Sequence, residues 1–204
     1  PLVNAWGFGP TKVDGPPSDA QLSALLNEVG QDKLVVDAKN RLVTKTRKGL
    51  YIDLSAIAKG FGVDQVASTL DNLGYTNYLV EVGGEVRARG ETGTGAAWKI
   101  GVEKPDENAR AIQEILALTN MSMATSGNYR NFYEDNGVRI SHTLDARTGR
   151  PVTHRLASVT VLHQDCMHAD GLATVLNVLG SKAGFDLAER NKLAAMFVIK
   201  PKQG

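Results

Sequence analysis

Residues 51–62, YIDLSAIAKGFG, are the stretch around which the fold is organised, because an apolar run stops at an acid, passes through small residues and enters a helix. The pattern predicts a strand that ends at Asp53 and a helix from Ala56 to Leu73, with Gly74 as its stop signal. The residues expected to form the buried stripe of this helix recur at helical spacing: Ile57, Phe61, Val66, Leu70 and Leu73. A strand that turns directly into a helix is a place where a ligand can meet the main chain.

The start of the predicted helix is suited to an anionic ligand. Ser55 is placed to act as the N-cap, and the N–H groups of the first turn carry the positive end of the helix dipole. An ordinary strand and capped helix, in which Gly60 and Gly62 allow close helix packing, explains the same residues. This stretch alone therefore leaves both interpretations open.

The composition is that of a globular protein of 204 residues, 42% hydrophobic and 22% charged. The formal net charge is +1 and no long run of Lys or Arg occurs, so there is no electrostatic case for nucleic-acid binding. No apolar run reaches membrane-spanning length, and the opening PLVNAWGFGP lacks the pattern of a signal peptide. Cys166 is the single cysteine, which excludes an internal disulfide framework and a multi-cysteine metal site.

Predicted strands outnumber predicted helices, and many are joined as hairpins. The fold class is therefore α+β, with one mixed, largely antiparallel sheet and packed helices, in a single domain of residues 1–204. Leu2 to Pro10 is expected to be irregular, whereas Ser18 and Gln21 form a capping-box pattern opening a short helix that Gly30 closes. The predicted strands include Leu34–Asp37, Arg41–Lys45, Asn77–Val82, Trp98–Val102, Ile112–Leu118, Met121–Ser126, Ala157–Leu162 and Ala194–Ile199, and two further helices are predicted at Met167–Leu179 and Lys182–Glu189.

Gly83 and Gly84 follow one of these strands directly. Glycines at the carboxyl end of a buried strand let a ligand approach the main chain, since no Cβ is in the way. A bulge or tight turn before the next strand explains them as well.

Asp170 and Thr174 are four residues apart and project from the same face of a predicted helix. A carboxylate and a hydroxyl so placed suit a hard cation such as Mg²⁺, which prefers oxygen ligands. The alternative is structural: Asp170 stabilises an early helix turn and Thr174 packs inward.

His142 lies on an extended segment, where a histidine can take a proton from an attacking hydroxyl if a partner orients the ring. A structural histidine bonded to the backbone is the alternative. The other histidines, His154, His163 and His168, lack the spacing typical of zinc sites and are expected to be structural or on the surface.

Three weaker signals are polar residues next to turns. Asp53 can contact a ribose or base edge, or cap a helix. Lys59 can meet a phosphate, or extend into solvent. Residues 126–128, with Ser126 first, are expected to form a small polar turn that either binds a diphosphate through N–H groups or simply reverses the chain.

Five motifs in this order, YIDLSAIAKGFGVD, YLVEVGGEVRARG, MATSGNYRNFY, ISHTLDARTGRPV and ADGLATVLNVLG, together resemble those of the ApbE-type flavin transferases, the FAD:protein FMN transferases. The opening LVNAWGFGP is also similar to a segment in the middle of those proteins, so the resemblance covers nearly the whole chain. It implies Mg²⁺-dependent cleavage of FAD at its pyrophosphate, transfer of FMN to a Thr or Ser hydroxyl of a target protein, and release of AMP.

The resemblance also assigns roles to residues. Asp170 and Thr174 match the family's metal ligands, and Ala56 matches a ligand that acts through its backbone oxygen. His142 matches the histidine that activates the acceptor hydroxyl. The positions that match nucleotide-contacting residues are Asp53, Lys59, Gly83, Gly84, Thr143 and Leu144.

Family members normally have a substantial N-terminal region before the counterpart of Pro1, so the chain is expected to represent about the C-terminal two-thirds of the family domain. An export signal or lipidated cysteine upstream would place bacterial members on the periplasmic face of the inner membrane. An FAD pyrophosphatase that yields FMN and AMP, and a non-catalytic FAD-binding protein, are the alternatives to flavin transfer. The acceptor protein and the oligomeric state do not follow from the sequence.

Overall fold

The computed structural model describes residues 1–10, 13–106, 111–129 and 131–201. Its helices are α1 (Leu2–Ala5), α2 (Asp19–Leu26), α3 (Ala58–Asn72) and α4 (Cys166–Arg190), with a 3-10 turn at Gln31–Lys33. Its strands are β1 (Leu34–Asp37), β2 (Leu42–Lys45), β3 (Tyr78–Val82), β4 (Glu85–Arg89), β5 (Trp98–Glu103), β6 (Ile112–Leu118), β7 (Met121–Gly127), β8 (Phe132–Asp135), β9 (Val138–Ser141), β10 (Leu144–Asp145), β11 (Arg150–Pro151), β12 (Leu156–His163) and β13 (Ala194–Ile199). All pairings between these strands are antiparallel, and helices pack on them, which confirms the α+β class.

The chain divides into two compact units. The smaller comprises the described parts of 1–53 and 131–153, and the larger comprises those of 54–130 and 154–204. A five-stranded sheet in the order β13-β12-β7-β4-β3 belongs to the larger unit, and the other strands pair in twos. The expectation of one extended sheet is therefore wrong, because the short hairpins close on themselves instead of joining a common sheet.

β12 is an inner strand of the larger unit's sheet, next to the edge strand β13, as its β-branched sequence predicts. Residues 156–161 are all buried, and the strand pairs with β13 on one side and β7 on the other. Leu156, Val159 and Val161 pack against Leu176 of α4. The buried hydroxyl of Thr160 forms a hydrogen bond within the sheet, with its Oγ1 2.8 Å from Oγ1 of Thr125.

α4 consists of two helical segments that meet at a kink. Gly180 has φ 79° and ψ 179°, outside the helical range, which confirms the expected break between two helices. A Cβ at Gly180 would lie 2.7 Å from the imidazole of His154, so glycine is required for space as well as for its positive φ. Among the described helices, none combines the length and apolarity needed to cross a membrane.

The buried face of α3 differs from the predicted stripe. Gly60, Val63 and Ala67 are buried, whereas Phe61 is 50% exposed and Val66 is 46% exposed. The reason is the closeness of α4, because a Cβ at Gly60 would lie 2.4 Å from the Cys166 carbonyl oxygen. Small residues therefore define the contact with α4, and Phe61 and Val66 point elsewhere. Leu70 of the predicted stripe does pack against the core.

α3 also begins later than predicted. Residues 51–54 form no strand, and the N-cap is Ile57, without a side-chain cap hydrogen bond, instead of Ser55. The Leu54 carbonyl oxygen accepts hydrogen bonds from the amides of Ile57 (3.0 Å) and Ala58 (2.9 Å). This tight turn occupies the residues expected to form the first helical turn, so the helix starts at Ala58.

Every second residue of β4 forms an ion pair with α3. Because side chains alternate along a strand, these residues share the sheet face that α3 covers. The pairs are Glu85–Lys59, Arg87–Asp64 and Arg89–Asp71. The helix is thus held to the sheet by complementary charges in addition to the apolar contacts of Val63 and Ala67 with Tyr78 and Val80.

Cys166 is predicted to be unreactive in the native protein. Its thiol is fully buried and donates to the Val86 carbonyl oxygen at 3.6 Å. Burial, together with the charges of Asp64, Glu85 and Asp170, raises the pKa of Cys166 to about 12. We expect no reaction with a chromogenic disulfide reagent at pH 8 and one thiol per chain in denaturant, since the thiolate is the nucleophile. Rapid labelling of the folded protein would contradict the buried placement.

The smaller unit is organised around Trp6 and α2. Ser18 and Gln21 form the predicted capping box. The prediction that this helix runs to Gly30 is wrong, because it ends at Leu26 with Asn27 as its C-cap. The N-terminal segment is also less irregular than predicted, since α1 forms there and Trp6 Nε1 donates to the Gly149 carbonyl oxygen at 2.7 Å.

Candidate active site

Asp170 lies buried where α4 crosses α3. It is 5% exposed, and its Oδ2 accepts a hydrogen bond from the Gly60 amide at 3.0 Å. The absence of a side chain at Gly60 allows this approach, because a Cβ there would collide with the main chain of α4. A carboxylate on one helix is therefore bound to the first turn of the other.

Burial raises the pKa of Asp170, although the Gly60 hydrogen bond and the charge of Lys59 act in the opposite direction. The ionised carboxylate thus carries a desolvation cost that a bound cation would offset. This electrostatic situation favours a cation at Asp170.

The two other predicted metal ligands belong to the same unit. Thr174 lies half-buried one turn after Asp170 on α4. Ala56 lies two residues before α3, and its carbonyl would accept from the Gly60 amide if the helix continued backwards. Because that amide donates to Asp170 instead, the Ala56 carbonyl oxygen is left without this bond. The carboxylate, hydroxyl and carbonyl together are an oxygen donor set, which fits Mg²⁺.

Lys59 does not extend freely into solvent, and its contact with a phosphate stays a prediction. Its Nζ lies 2.5 Å from Oε1 of Glu85, so it is paired with an acid instead of extending into solvent. Glu85 is 1% exposed, and its Oε2 has no hydrogen-bond partner among the described residues. Burial raises the pKa of Glu85 despite Lys59, and the charge of Asp170 raises it further. A buried carboxylate oxygen without a partner indicates a site that is polar and incompletely satisfied.

Glu85 is a residue that the sequence interpretation missed. The available signal was the alternation E-V-R-A-R over residues 85–89, which places three charged side chains on one face of a strand. A charged face on an inner strand requires charged partners, and the charges of α3 were the candidates in the sequence. The missing information was that α3 packs on this face.

A cleft of about 670 Å³ opens next to this pair, and it is formed entirely by the larger unit. Lys59 and Lys99 supply positive charge to its lining, and Tyr129 supplies an aromatic ring. Three acids, Glu81, Glu85 and Glu103, also line it. The predicted nucleotide contacts Gly83 and Gly84 line it as well. The cleft therefore joins three of the predicted nucleotide-contacting residues to a lysine that the sequence did not single out.

Gly83 and Gly84 form the two-residue turn between β3 and β4. Both have positive φ, 60° and 101°, which confirms the tight-turn interpretation. A Cβ at Gly83 would lie 3.0 Å from Cδ of Lys59, so the turn lies against the stem of that side chain. Binding of a nucleotide to its amides stays a prediction.

Ser126 is not in a turn. Ser126 and Gly127 are the last residues of β7 and pair with Val159 and Ser158 of β12. The hydroxyl of Ser126 accepts from Nδ2 of the buried Asn177 at 3.0 Å. The predicted polar turn is therefore wrong at Ser126 and Gly127, because the strand extends through them.

The remaining predicted contacts belong to the smaller unit. Asp53 is exposed at the end of its first segment. Thr143 is 6% exposed, and its carbonyl oxygen accepts from the Val152 amide at 3.0 Å. Leu144 begins β10 and packs on the apolar core around Ile140. Thr143 and Leu144 thus have structural roles in addition to the nucleotide contacts expected of them.

His142 is oriented by the main chain. Its Nδ1 lies 2.9 Å from the Asn131 carbonyl oxygen, and its ring meets that of Phe8 edge-on at 6.2 Å between centroids. A carbonyl oxygen only accepts, so the hydrogen bond requires the proton on Nδ1. Nε2 then carries the lone pair, as a general base requires.

Asp64 fixes the start of α4, a role that its position in the sequence did not indicate. Its carboxylate accepts from the amides of Cys166 (3.0 Å) and Met167 (2.9 Å) and pairs with Arg87 at 2.6 Å. An acid from α3 thus caps a helix far along the chain. This cap holds the first turn of α4, from which Asp170 follows.

The sequence profile of the ApbE family matches residues 1–197. The chain belongs to the ApbE family. Two curated relatives, the FAD:protein FMN transferases of Vibrio cholerae and Haemophilus influenzae, are 45% and 46% identical to it over its whole length. The solved structure of the flavin transferase ApbE from Vibrio cholerae has 44% identity and a TM-score of 0.89, with all of this chain and 64% of that one covered. The ApbE fold expected from the sequence is thereby confirmed.

The chain spans 61% and 60% of the lengths of the two curated ApbE relatives. The matched part includes both compact units and the Asp170 and Lys59–Glu85 sites.

Proposed function

We propose that the protein is an FAD:protein FMN transferase that cleaves FAD at its pyrophosphate, transfers FMN to a Thr or Ser hydroxyl of an acceptor protein, and releases AMP. The observation that carries the proposal is the buried Asp170 carboxylate bound to the Gly60 amide at the α3–α4 crossing. Membership of the ApbE family and the activity named for its relatives support the reaction type.

Asp170 and Thr174, through their side-chain oxygens, and Ala56, through its carbonyl oxygen, are the residues that would hold Mg²⁺. The bound ion would neutralise the negative charge that develops on the pyrophosphate oxygens. The support for this assignment is the oxygen-only donor set and the desolvation cost of the Asp170 carboxylate.

Lys59 and the Gly83 amide bind the phosphates from the cleft side, together with the Gly84 amide once it releases Oε1 of Glu81, to which it donates at 3.2 Å. Glu85 keeps the ammonium group of Lys59 in place, because the buried acid has that lysine as its ion-pair partner. Lys59 remains 44% exposed at its side chain, so its outer face is available to an anion. Positioned charges of this kind stabilise a leaving phosphate without reorganisation.

His142 takes the proton of the acceptor hydroxyl. A threonine hydroxyl is a weak nucleophile, and a positioned base makes it reactive. The contact between Nδ1 and the Asn131 carbonyl keeps Nε2 as the acceptor. The ring is therefore in the tautomer that the step requires.

Replacement of His142 with glutamine tests this role. We expect the rate of flavin transfer to fall by about 10²- to 10⁴-fold, the usual contribution of general acid–base catalysis. FAD binding, followed by quenching of flavin fluorescence, is expected to persist because His142→Gln removes no phosphate contact. A normal transfer rate would show that another base, or none, is used.

The whole function is tested by incubating the 204-residue chain with FAD, Mg²⁺ and a protein domain that bears an acceptor threonine. Chromatography measures AMP, and mass spectrometry of the acceptor measures the covalent flavin. Formation of both products, and their loss on chelation of Mg²⁺, is the expected result. AMP without the adduct would indicate an FAD pyrophosphatase, and FAD binding without either product would indicate a storage protein.

A further inference from the structure

The end of β12 and the start of α4 bring together two histidines and an aspartate outside the candidate active site. One ring nitrogen of His163, one of His168 and one carboxylate oxygen of Asp165 all lie within 4.8 Å of one another. Among the described residues, no other set of three or more His, Cys, Asp and Glu side chains converges in this way. The irregular spacing of the three residues does not reveal the cluster, because a turn separates the strand end from the helix.

We propose that His163, Asp165 and His168 bind a divalent transition-metal ion such as Zn²⁺ or Co²⁺. Imidazole nitrogens suit these ions, whereas Mg²⁺ and Ca²⁺ prefer oxygen ligands throughout. Two imidazoles and one carboxylate leave further coordination positions for water. The site is chemically distinct from the oxygen donors at Asp170, so the two select different metals.

The ligand atoms lie near the separations that a bound ion requires, and one pair already has them. Ligand atoms about 2.0–2.2 Å from a Zn²⁺ ion are separated from one another by roughly 3–3.5 Å. Nδ1 of His168 lies 3.3 Å from Oδ2 of Asp165, within this range. Nδ1 of His163 lies 3.9 Å from the same oxygen, which is outside it. The imidazole rings of His163 and His168 have centroids 5.0 Å apart. The side chains of His163, Asp165 and His168 are 35%, 52% and 57% exposed, so small rotations can complete the approach.

The main chain around the cluster is held on both sides. His163 pairs with Ser122 of β7, whose hydroxyl donates to the Gln164 carbonyl oxygen at 3.0 Å. On the helix side, the Asp64 carboxylate accepts hydrogen bonds from the first amides of α4. This acid offsets the positive end of the helix dipole, which would otherwise oppose a cation. The ligands therefore project from a fixed turn.

The ring of His163 also has a partner that can orient it. Its Nδ1 lies 3.2 Å from the Asp165 carbonyl oxygen and 3.0 Å from the Asp165 amide nitrogen. In the metal-free chain the Asp165 amide donates to Nδ1, so the proton is on Nε2. Binding of a metal ion through Nε2 requires the other tautomer, in which Nδ1 donates to the Asp165 carbonyl oxygen. Metal-binding histidines commonly donate their second N–H to a backbone carbonyl in this way.

Titration of the untagged 204-residue chain with Co²⁺ tests the proposal, because Co²⁺ bound to nitrogen and oxygen ligands absorbs visible light. We expect saturable binding of one ion, displacement by Zn²⁺, and a rise in the melting temperature with added Zn²⁺. His163→Ala and His168→Ala should each abolish the Co²⁺ spectrum and the shift in melting temperature. Both residues are partly exposed, so each variant is expected to unfold at the temperature of the metal-free wild type.

Gln164→Ala is the matched control, since Gln164 lies between the ligands and its backbone carbonyl makes the contact with Ser122. This control and Asp170→Asn should bind Co²⁺ like the wild-type chain, which separates the cluster from the proposed Mg²⁺ site. Absence of saturable binding to the wild type would overturn the proposal. Binding that persists unchanged in His163→Ala and His168→Ala would overturn it too, by placing the ion elsewhere.

Discussion

Replacing Asp170 with asparagine is expected to abolish Mg²⁺-dependent release of AMP from FAD while the chain stays folded. Asparagine keeps an oxygen that accepts from the Gly60 amide, so the bond across the α3–α4 crossing persists. It removes the negative charge that would hold the cation. We expect a loss of at least about a hundredfold, because changes one shell further from a metal already cost about 10- to 100-fold.

The stability of the same variant provides an independent check. Burial disfavours the charged form of Asp170 and raises its pKa, so the ionised carboxylate costs free energy at neutral pH when no cation is bound. The melting temperature of metal-free Asp170→Asn is therefore expected to equal or exceed that of the wild type. Asp186→Asn, an exposed position on the same helix, is the control and should leave both quantities unchanged. Unchanged AMP release in Asp170→Asn would remove Asp170 from the site.

Replacing Gly60 with alanine is expected to destabilise the larger unit severely. The new Cβ would lie 2.4 Å from the carbonyl oxygen of Cys166, 2.6 Å from its carbonyl carbon and 2.7 Å from Cα of Met167. All three are main-chain atoms that Asp64 holds in place, so no side chain can rotate away. Overpacking typically costs about 1–3 kcal/mol, and we expect a loss of free energy of unfolding at or above the upper end.

Gly62→Ala is the matched control on the same helix. A Cβ at Gly62 meets nothing within 4 Å, and alanine is a better helix former than glycine by about 0.5–1 kcal/mol. Urea denaturation should therefore show Gly62→Ala slightly more stable than the wild type and Gly60→Ala much less stable. Separation of the helices would also remove the Gly60–Asp170 hydrogen bond, so AMP release should fall with stability. Equal stability of Gly60→Ala and the wild type would contradict the close helix crossing.

The site could be predicted in part because some of its residues lie in local patterns that survive without the fold. Asp170 and Thr174 share a helix face through their spacing, and Gly83 and Gly84 mark the end of a strand. The roles proposed for them follow from five motifs in fixed order, which resemble those of the ApbE family. Glu85 was missed since its partner Lys59 comes from another element.

The buried face of α3 shows how a correct helix can carry an incorrect contact surface. The apolar spacing of Phe61 and Val66 predicted a stripe, but packing against α4 is limited by main-chain approach at Gly60. Hydrophobic periodicity reflects the free energy gained when apolar side chains leave water. It contains no information about how closely a neighbouring backbone approaches. The exposed Phe61 and the buried Gly60 are therefore outside the reach of pattern analysis.

Local chemistry along the chain was sufficient to define the α+β class, the inner strand β12, the capping box at Ser18 and the break of the last helix at Gly180. Each depends on interactions between residues close in sequence or on the burial of one continuous run. The cap from Asp64 to α4, the Lys59–Glu85 pair and the cluster around Asp165 required the folded chain. These contacts join residues on separate elements, and their formation depends on distances that are set only when the helices pack on the sheet.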